Sequence, residues 1–102
     1  MTVHLVTRHQ GAIDWLTSQG IQWDSCHAHL NIQDIARGDT VVGILPLPKA
    51  AAVCAKGARY LHVCIDVPAD RRGEELSLAE MAHLSPTIRE FHAFEASPAA
   101  HG

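Results

Sequence analysis

The chain has 102 residues, 47% of them hydrophobic, and a formal net charge of −3, which is enough apolar material for one compact domain and too little length for two. That charge argues against non-specific binding to duplex nucleic acid but leaves room for a small anion held by a few local cations. No apolar run approaches the roughly 18 residues of a membrane span and no basic-then-apolar leader opens the chain, so a cytoplasmic protein is expected. Cys26, Cys54 and Cys64 are odd in number and lack Cys-x-x-Cys spacing, and they read as reduced core thiols.

In chain order, residues 3–7 alternate as a short strand, and Ala12, Ile13, Trp15 and Leu16 recur at helical spacing until Gly20 stops the helix. Between them Arg8, His9, Gln10 and Gly11 form a tight turn at the carboxyl end of a strand and the amino end of a helix. Ligands collect at such places in open α/β sheets, and free helix N–H groups favour anions such as phosphate. Residues 21–29 read as a second strand, with Ile21, Trp23, Ser25 and His27 on one face and Gln22, Asp24, Cys26 and Ala28 on the other. Residues 30–39 read as a connection with one helical turn at 33–36. Residues 40–45 are an almost continuous apolar run, as in a strand buried on both faces of a parallel sheet. Pro46 and Pro48 mark a turn into a helix over 50–55 that Gly57 stops, and 59–67 read as another strand closed by Pro68.

Residues 70–75 form a charged surface loop. Ser77 with Glu80 makes a capping box for a short helix through about His83. Ser85-Pro86 reads as a helix restart reaching about Phe94, and residues 96–102 as a flexible tail beyond a single domain over 1–95. The fold class is α/β: a small, mostly parallel, Rossmann-like sheet flanked by helices. Adjacent first and third strands would make the Arg8 and Pro46 turns neighbours at a topological switch point.

These residues together resemble a small family of ring nucleases found beside type III CRISPR systems. The resemblance rests on Val6-Thr7-Arg8-His9 with Gly11-Ala12-Ile13 and Trp15, on Gly20-Ile21 and on His29-Leu30. It continues through Gly38-Asp39, Val41-Val42-Gly43, Leu45-Pro46, Gly57-Ala58-Arg59-Tyr60-Leu61-His62, Asp66-Val67-Pro68 and Arg72-Gly73 with Glu75-Leu76-Ser77. It spans residues 3–81, and the His-rich end adds no signal. It implies a CARF-like Rossmann domain that binds cyclic oligoadenylate, with cyclic tetra-adenylate as substrate, and opens it to linear products, so that type III signalling is switched off. A homodimer is expected, since a domain this small often gains stability by oligomerising and such a ring has two-fold symmetry to match, and no cofactor is expected.

Such a reaction needs a ribose 2′-OH in line with the leaving 5′-oxygen and stabilisation of charge on the phosphoryl oxygens. Arg8 suits the second task, His9 can act as general acid or base, and Thr7 can donate a hydroxyl hydrogen bond, which makes these three the catalytic candidates. Gln10, Gly11, Pro46, Lys49 and Asp66 are the ligand-binding candidates. Each has a plainer reading. Arg8 and Lys49 can be solvated cations, and Trp15 reads as core. Asp39 beside Gly38 reads as a turn device. His62 and Asp66, four apart on the expected strand, would share a face, with His62 in the core or at a dimer surface. Arg71 and Arg72 can close over a ligand or pair with Glu74 and Glu75 in solvent. His27 and His29 would share a face, but no further ligands stand at zinc spacing, so no metal site is expected. A binding protein that sequesters or senses the messenger without cutting it is the alternative. A Rossmann-like nucleotide-binding partner protein with no catalysis gains little, since Gly-x-Gly-x-x-Gly does not follow the first strand.

Overall fold

A computed structural model of the chain describes residues 1–71 and 76–96. Its strands are β1 (Val3–Val6), β2 (Ser25–His27), β3 (Thr40–Gly43), β4 (Arg59–Cys64) and β5 (Thr87–Phe91). Its α-helices are α1 (Gln10–Ser18), α2 (Leu47–Ala55) and α3 (Leu78–His83). The strands form one sheet in the order β2-β1-β3-β4-β5. The first four are parallel, and β5 runs antiparallel to β4. This is a mixed α/β architecture with a mostly parallel sheet between helices, compatible with a small Rossmann-like fold.

Side-chain alternation divides the core between the two faces of the sheet. Leu5, Val42 and Val63 pack on one face beneath Trp15 and Leu16 of α1 and Met81 of α3. Val6, Val41 and Tyr60 point the other way and are covered by Val53 and Cys54 of α2 and by Ile35. Consecutive residues of β3 are therefore both sealed, Val41 at 0% and Val42 at 1% exposure, which is the burial its unbroken apolar run demands. Trp15 is a core residue.

Gly11 lets α1 approach the chain just before α3. A Cβ at that position would stand 1.6 Å from the backbone oxygen of Leu76, so either the helix or the Leu76 segment would have to move. Gly11→Ala is expected to destabilise the fold by roughly 1–3 kcal/mol, a fall in Tm of at least about 5 °C in a thermal melt. An unchanged Tm would contradict the close approach.

Several elements differ in extent from the sequence reading. The β2 ladder covers only Ser25–His27, paired with His4, Leu5 and Val6 of the short β1. Strand β4 ends at Cys64, so Asp66 lies beyond it rather than four places along the same strand from His62. Helix α2 begins at Leu47 with a proline in its first turn, where a missing N–H costs nothing. A 3-10 turn at Ile32–Asp34 stands where a helical turn was expected slightly later. The capping box at α3 is present, with Ser77 Oγ accepting from the Glu80 N–H at 3.2 Å and Glu80 Oε1 from the Ser77 N–H at 3.1 Å. Among the cysteines only Cys54 is buried. Cys26 is exposed and so is no core thiol, and all three are free.

The largest departure concerns residues 85–94, read as a helix and folded as strand β5. Ser85 takes φ +51 and its N–H bonds to the Ala82 carbonyl, so it ends α3 rather than starting a new helix. Serine before proline fits either role, since the proline disfavours right-handed helix at the preceding residue and commonly follows a helix end. Tertiary pairing decides between them. Ile88 stands opposite Val63 and packs into the core, and Arg59 makes a two-pronged contact with Glu90 at 2.9 and 3.1 Å. Arg72, Gly73, Glu74 and Glu75 of the charged loop, and the expected tail from residue 97 onward, lie outside the described residues.

Candidate functional site

Chain order reverses between β1 and β3. From β1 the chain crosses to β2 on one side, and it later returns to place β3 on the other. The carboxyl ends of β1 and β3 meet at the Val6–Gly43 pair, and both turns that follow open onto the same edge of the sheet. Gly43 permits that meeting, because a Cβ there would lie 2.5 Å from the Val6 carbonyl oxygen. The topological switch point expected from the sequence is thus present, and a cleft of about 690 Å³ occupies it.

Thr7, Arg8 and His9 line one side of this cleft, and Pro46 and Lys49 line the side reached from β3. His29 joins them from the chain after β2, and the rest of the wall is apolar, including Leu45, Ile65 and Met81. No aspartate or glutamate is among the described residues of the wall, although the chain carries 11 acidic residues. Arg8 and Lys49 are exposed, and no ion pair among the described residues engages either of them. A cleft with two available cations and two imidazoles, at the amino end of α1, is electrostatically suited to an anion.

The turn itself is held by short-range bonds. The Thr7 N–H donates to the His27 carbonyl at 2.9 Å, and Thr7 Oγ1 accepts from the His9 N–H at 3.1 Å. His9 is the N-cap residue of α1, and its carbonyl accepts from the Ala12 and Ile13 N–H groups. Its imidazole makes no capping bond and is exposed at the cleft.

The remaining candidates are placed elsewhere. The Gln10 side chain is exposed and donates to Asp14 Oδ1 at 2.9 Å, along the helix surface. Gly11 is buried against Leu76. Asp66 is exposed and is not part of the described wall, although its neighbours Ile65 and Val67 are. His27 and His29, expected to share a strand face, have different surroundings: His27 turns towards Ser25 and His4, while His29, beyond the end of β2, lines the cleft. Among the described residues no group of three His, Cys, Asp or Glu side chains is arranged to hold a metal ion.

Below the cleft lies a buried polar network that no local sequence signal announced. Asp39, 5% exposed, accepts from the Thr2 N–H at 3.0 Å, the Ala36 N–H at 3.0 Å and His4 Nε2 at 2.9 Å. The two backbone N–H bonds and the bond from His4 hold its carboxyl well below the usual carboxylate range, against the opposing effect of burial. A carboxylate only accepts, so the His4 ring donates to it from Nε2 and turns Nδ1 the other way. Ser25 Oγ lies 3.2 Å from that Nδ1 and 3.0 Å from His27 Nε2. Neither Ser25 nor His4 lines the cleft, and the network's evident work is to tie β1, β2 and the entry to β3 together. The aspartate bonds the backbone three residues earlier, as a turn device does, but it also reaches across 35 residues to His4.

No helix among the described residues is long and apolar enough to cross a membrane. No match to the chain was found among curated proteins or among solved structures. One family model does match, over residues 4–94, and its description reads "Putative CRISPR-associated protein (Cas_VVA1548)". That match runs from the second residue of β1 through β5 and takes in the whole described wall of the cleft, and the chain belongs to this CRISPR-associated family.

Proposed function

We propose that this protein is a ring nuclease, which binds cyclic oligoadenylate, with cyclic tetra-adenylate as substrate, and opens it without a metal, switching off type III signalling. The observation that carries the reading is the cleft at the β1/β3 switch point, lined by Arg8, Lys49, His9 and His29 with no carboxylate in its described wall. A polyanionic ring fits such a wall, whereas a cationic or metal-bridged ligand would want acidic groups.

In the reaction the 2′-oxygen of a ribose bonds to the adjacent phosphorus as the bond from phosphorus to the 5′-oxygen breaks. The 2′-OH proton passes to a base, and the leaving 5′-oxygen takes up a proton. A linear chain results, ending in a 2′,3′-cyclic phosphate and a free 5′-OH. Arg8 stabilises charge on the phosphoryl oxygens through its planar fork of donors, His9 moves a proton, and Thr7 orients the turn. Lys49 and the Pro46 turn hold a neighbouring phosphate from the other rim.

The working unit is a homodimer. Ile44 lies on the cleft wall at 53% exposure and Leu47 beside it at 73%, an apolar rim that a second copy would cover. A two-fold axis there would merge two clefts around a ring that itself has two-fold symmetry. Calorimetry is expected to give one cyclic tetra-adenylate per two chains, and one ligand per chain, or a fully active monomer by light scattering, would refute the shared site.

Turnover is tested by incubating limiting protein with cyclic tri-, tetra- and hexa-adenylate in EDTA, followed by chromatography. Cyclic tetra-adenylate is expected to disappear at the same rate with and without chelator. Loss of turnover in EDTA with recovery on adding a divalent ion would overturn the metal-free route. The alternative is a binding protein that sequesters or senses the messenger. It is favoured by one feature: His9 and His29 have no hydrogen-bonded acid or base partner among the described residues to tune them. Binding with no conversion would establish that alternative.

A further inference from the structure

The residue that shapes the far rim of the cleft lies outside it, on β4. Tyr60 is 2% exposed, and its hydroxyl accepts from the Leu45 N–H at 2.8 Å. The same oxygen lies 3.3 Å from the Gly43 carbonyl and 2.5 Å from His62 Nδ1. A phenol has one proton to give. With the Leu45 N–H already donating to it, the hydroxyl gives that proton to the Gly43 carbonyl while accepting from His62 Nδ1–H, or gives it to His62 when Nδ1 is bare. Burial lowers the pKa of His62 and raises that of Tyr60, so both are neutral near pH 7 and the contact between them is a hydrogen bond between uncharged groups. Phe91 stands edge-on to His62 at 5.8 Å between centroids and limits its rotation.

Leu45 and Gly43 flank Ile44, directly before the Pro46 turn that leads to Lys49. The strand ladder ends at Gly43, so the Leu45 N–H has left the sheet, and the Tyr60 hydroxyl is the partner that holds it. We propose that Tyr60, backed by His62, is a positioning residue that fixes the strand-to-helix turn carrying Ile44, Pro46 and Lys49 and so sets the phosphate-facing rim of the cleft. As a statement about ligand binding this rests on the ring-nuclease reading, since the ligand is the cyclic oligoadenylate proposed for that cleft.

The test is Tyr60→Phe, which keeps the ring and removes only the hydroxyl, with His62→Gln as a second variant whose amide can still accept or donate. Hydrogen exchange at the Leu45 amide, measured without ligand, is expected to speed up about tenfold or more in Tyr60→Phe and much less in His62→Gln. Affinity for cyclic tetra-adenylate is expected to fall roughly three- to tenfold in Tyr60→Phe, with the single-turnover rate at saturation close to wild type. Coupling supplies the readout that a loss of general stability would not give. Lys49→Ala should cost less in the Tyr60→Phe background than alone, while Arg8→Ala, on the opposite rim, should cost the same in both. Unchanged exchange at Leu45, or additive effects with Lys49→Ala, would overturn the assignment. Wild-type protein that fails to bind the ring would overturn the proposed function, and the exchange result alone would then decide whether Tyr60 fixes the turn.

Discussion

Arg8→Ala is expected to weaken binding of cyclic tetra-adenylate, its cleavage, or both, by roughly ten- to a hundredfold, the usual weight of a charge-assisted contact to phosphate. The guanidinium stands exposed on the cleft wall with no ion pair among the described residues, so its removal leaves no buried group stranded and the fold should be unaffected. If the contact is already formed in the bound ground state, the loss appears in affinity. If it forms as charge develops on the phosphoryl oxygens, it appears in the single-turnover rate while affinity holds. Arg8→Lys should recover only part, because an ammonium restores the charge without the fork. His9→Ala is the contrast, with a loss of rate and little loss of affinity if its imidazole moves the proton. Single-turnover cleavage with binding measured in parallel on folded variants separates these cases. Wild-type affinity and rate in Arg8→Ala would remove the site from this cleft.

Asp39→Asn is expected to give the largest loss of stability of any conservative change. Three donors converge on the carboxylate, from Thr2, Ala36 and His4, and an amide presents only one oxygen to them and turns an NH2 against the rest. Buried donors left without acceptors are costly, and a fall in Tm on the order of 10 °C at pH 7 is expected. The pH dependence follows from the same bonds. The folded state holds the Asp39 carboxyl below its ordinary value near 3.8, so the unfolded chain binds the proton more readily. The stabilisation is complete above that ordinary value and is lost progressively as the pH falls through and below it. Glu90, also lowered by its pairing with Arg59, sits in an exposed ion pair and adds little. Thermal melts between pH 7 and pH 3 should show wild-type Tm dropping steeply at the acid end and Asp39→Asn dropping much less. Parallel curves would mean that Asp39 is not the group being protonated.

How far the sequence reached depended on whether the information was local. The β1 turn, the doubly buried β3 and the capping box at Ser77 rest on adjacent residues or a single period, and each is present in the structure. So is the meeting of the Arg8 and Pro46 turns, which needs only that β1 and β3 be neighbours. Failures arose where a distant partner settles the conformation. Residues 87–91 carry no decisive period of their own, and the unpaired edge of β4, with Val63 for Ile88 and Arg59 for Glu90, makes them a strand. His4 and Asp39 are 35 residues apart, and each has an ordinary local reading, as an alternating strand residue and as a turn aspartate. Tyr60 likewise gives no sign in the sequence that its hydroxyl will meet the backbone 15 residues earlier. Within the candidate site, Thr7, Arg8, His9, Pro46 and Lys49 come together, while Gly11 serves the packing of α1 instead. His29 enters the sequence reading through the family resemblance and a metal pair that is set aside, not as a site candidate, because the end of β2 that brings it to the cleft is set by pairing with β1.

The most direct measurement is a single-turnover reaction, with protein in excess over cyclic tetra-adenylate in EDTA, its products separated by chromatography and identified by mass and phosphorus NMR. Attack by the 2′-OH opens the ring without adding water. The account therefore predicts a linear product of unchanged mass ending in a 2′,3′-cyclic phosphate and a free 5′-OH. A ring that stays intact while bound, or a product heavier by one water that carries a 5′-phosphate, would contradict it.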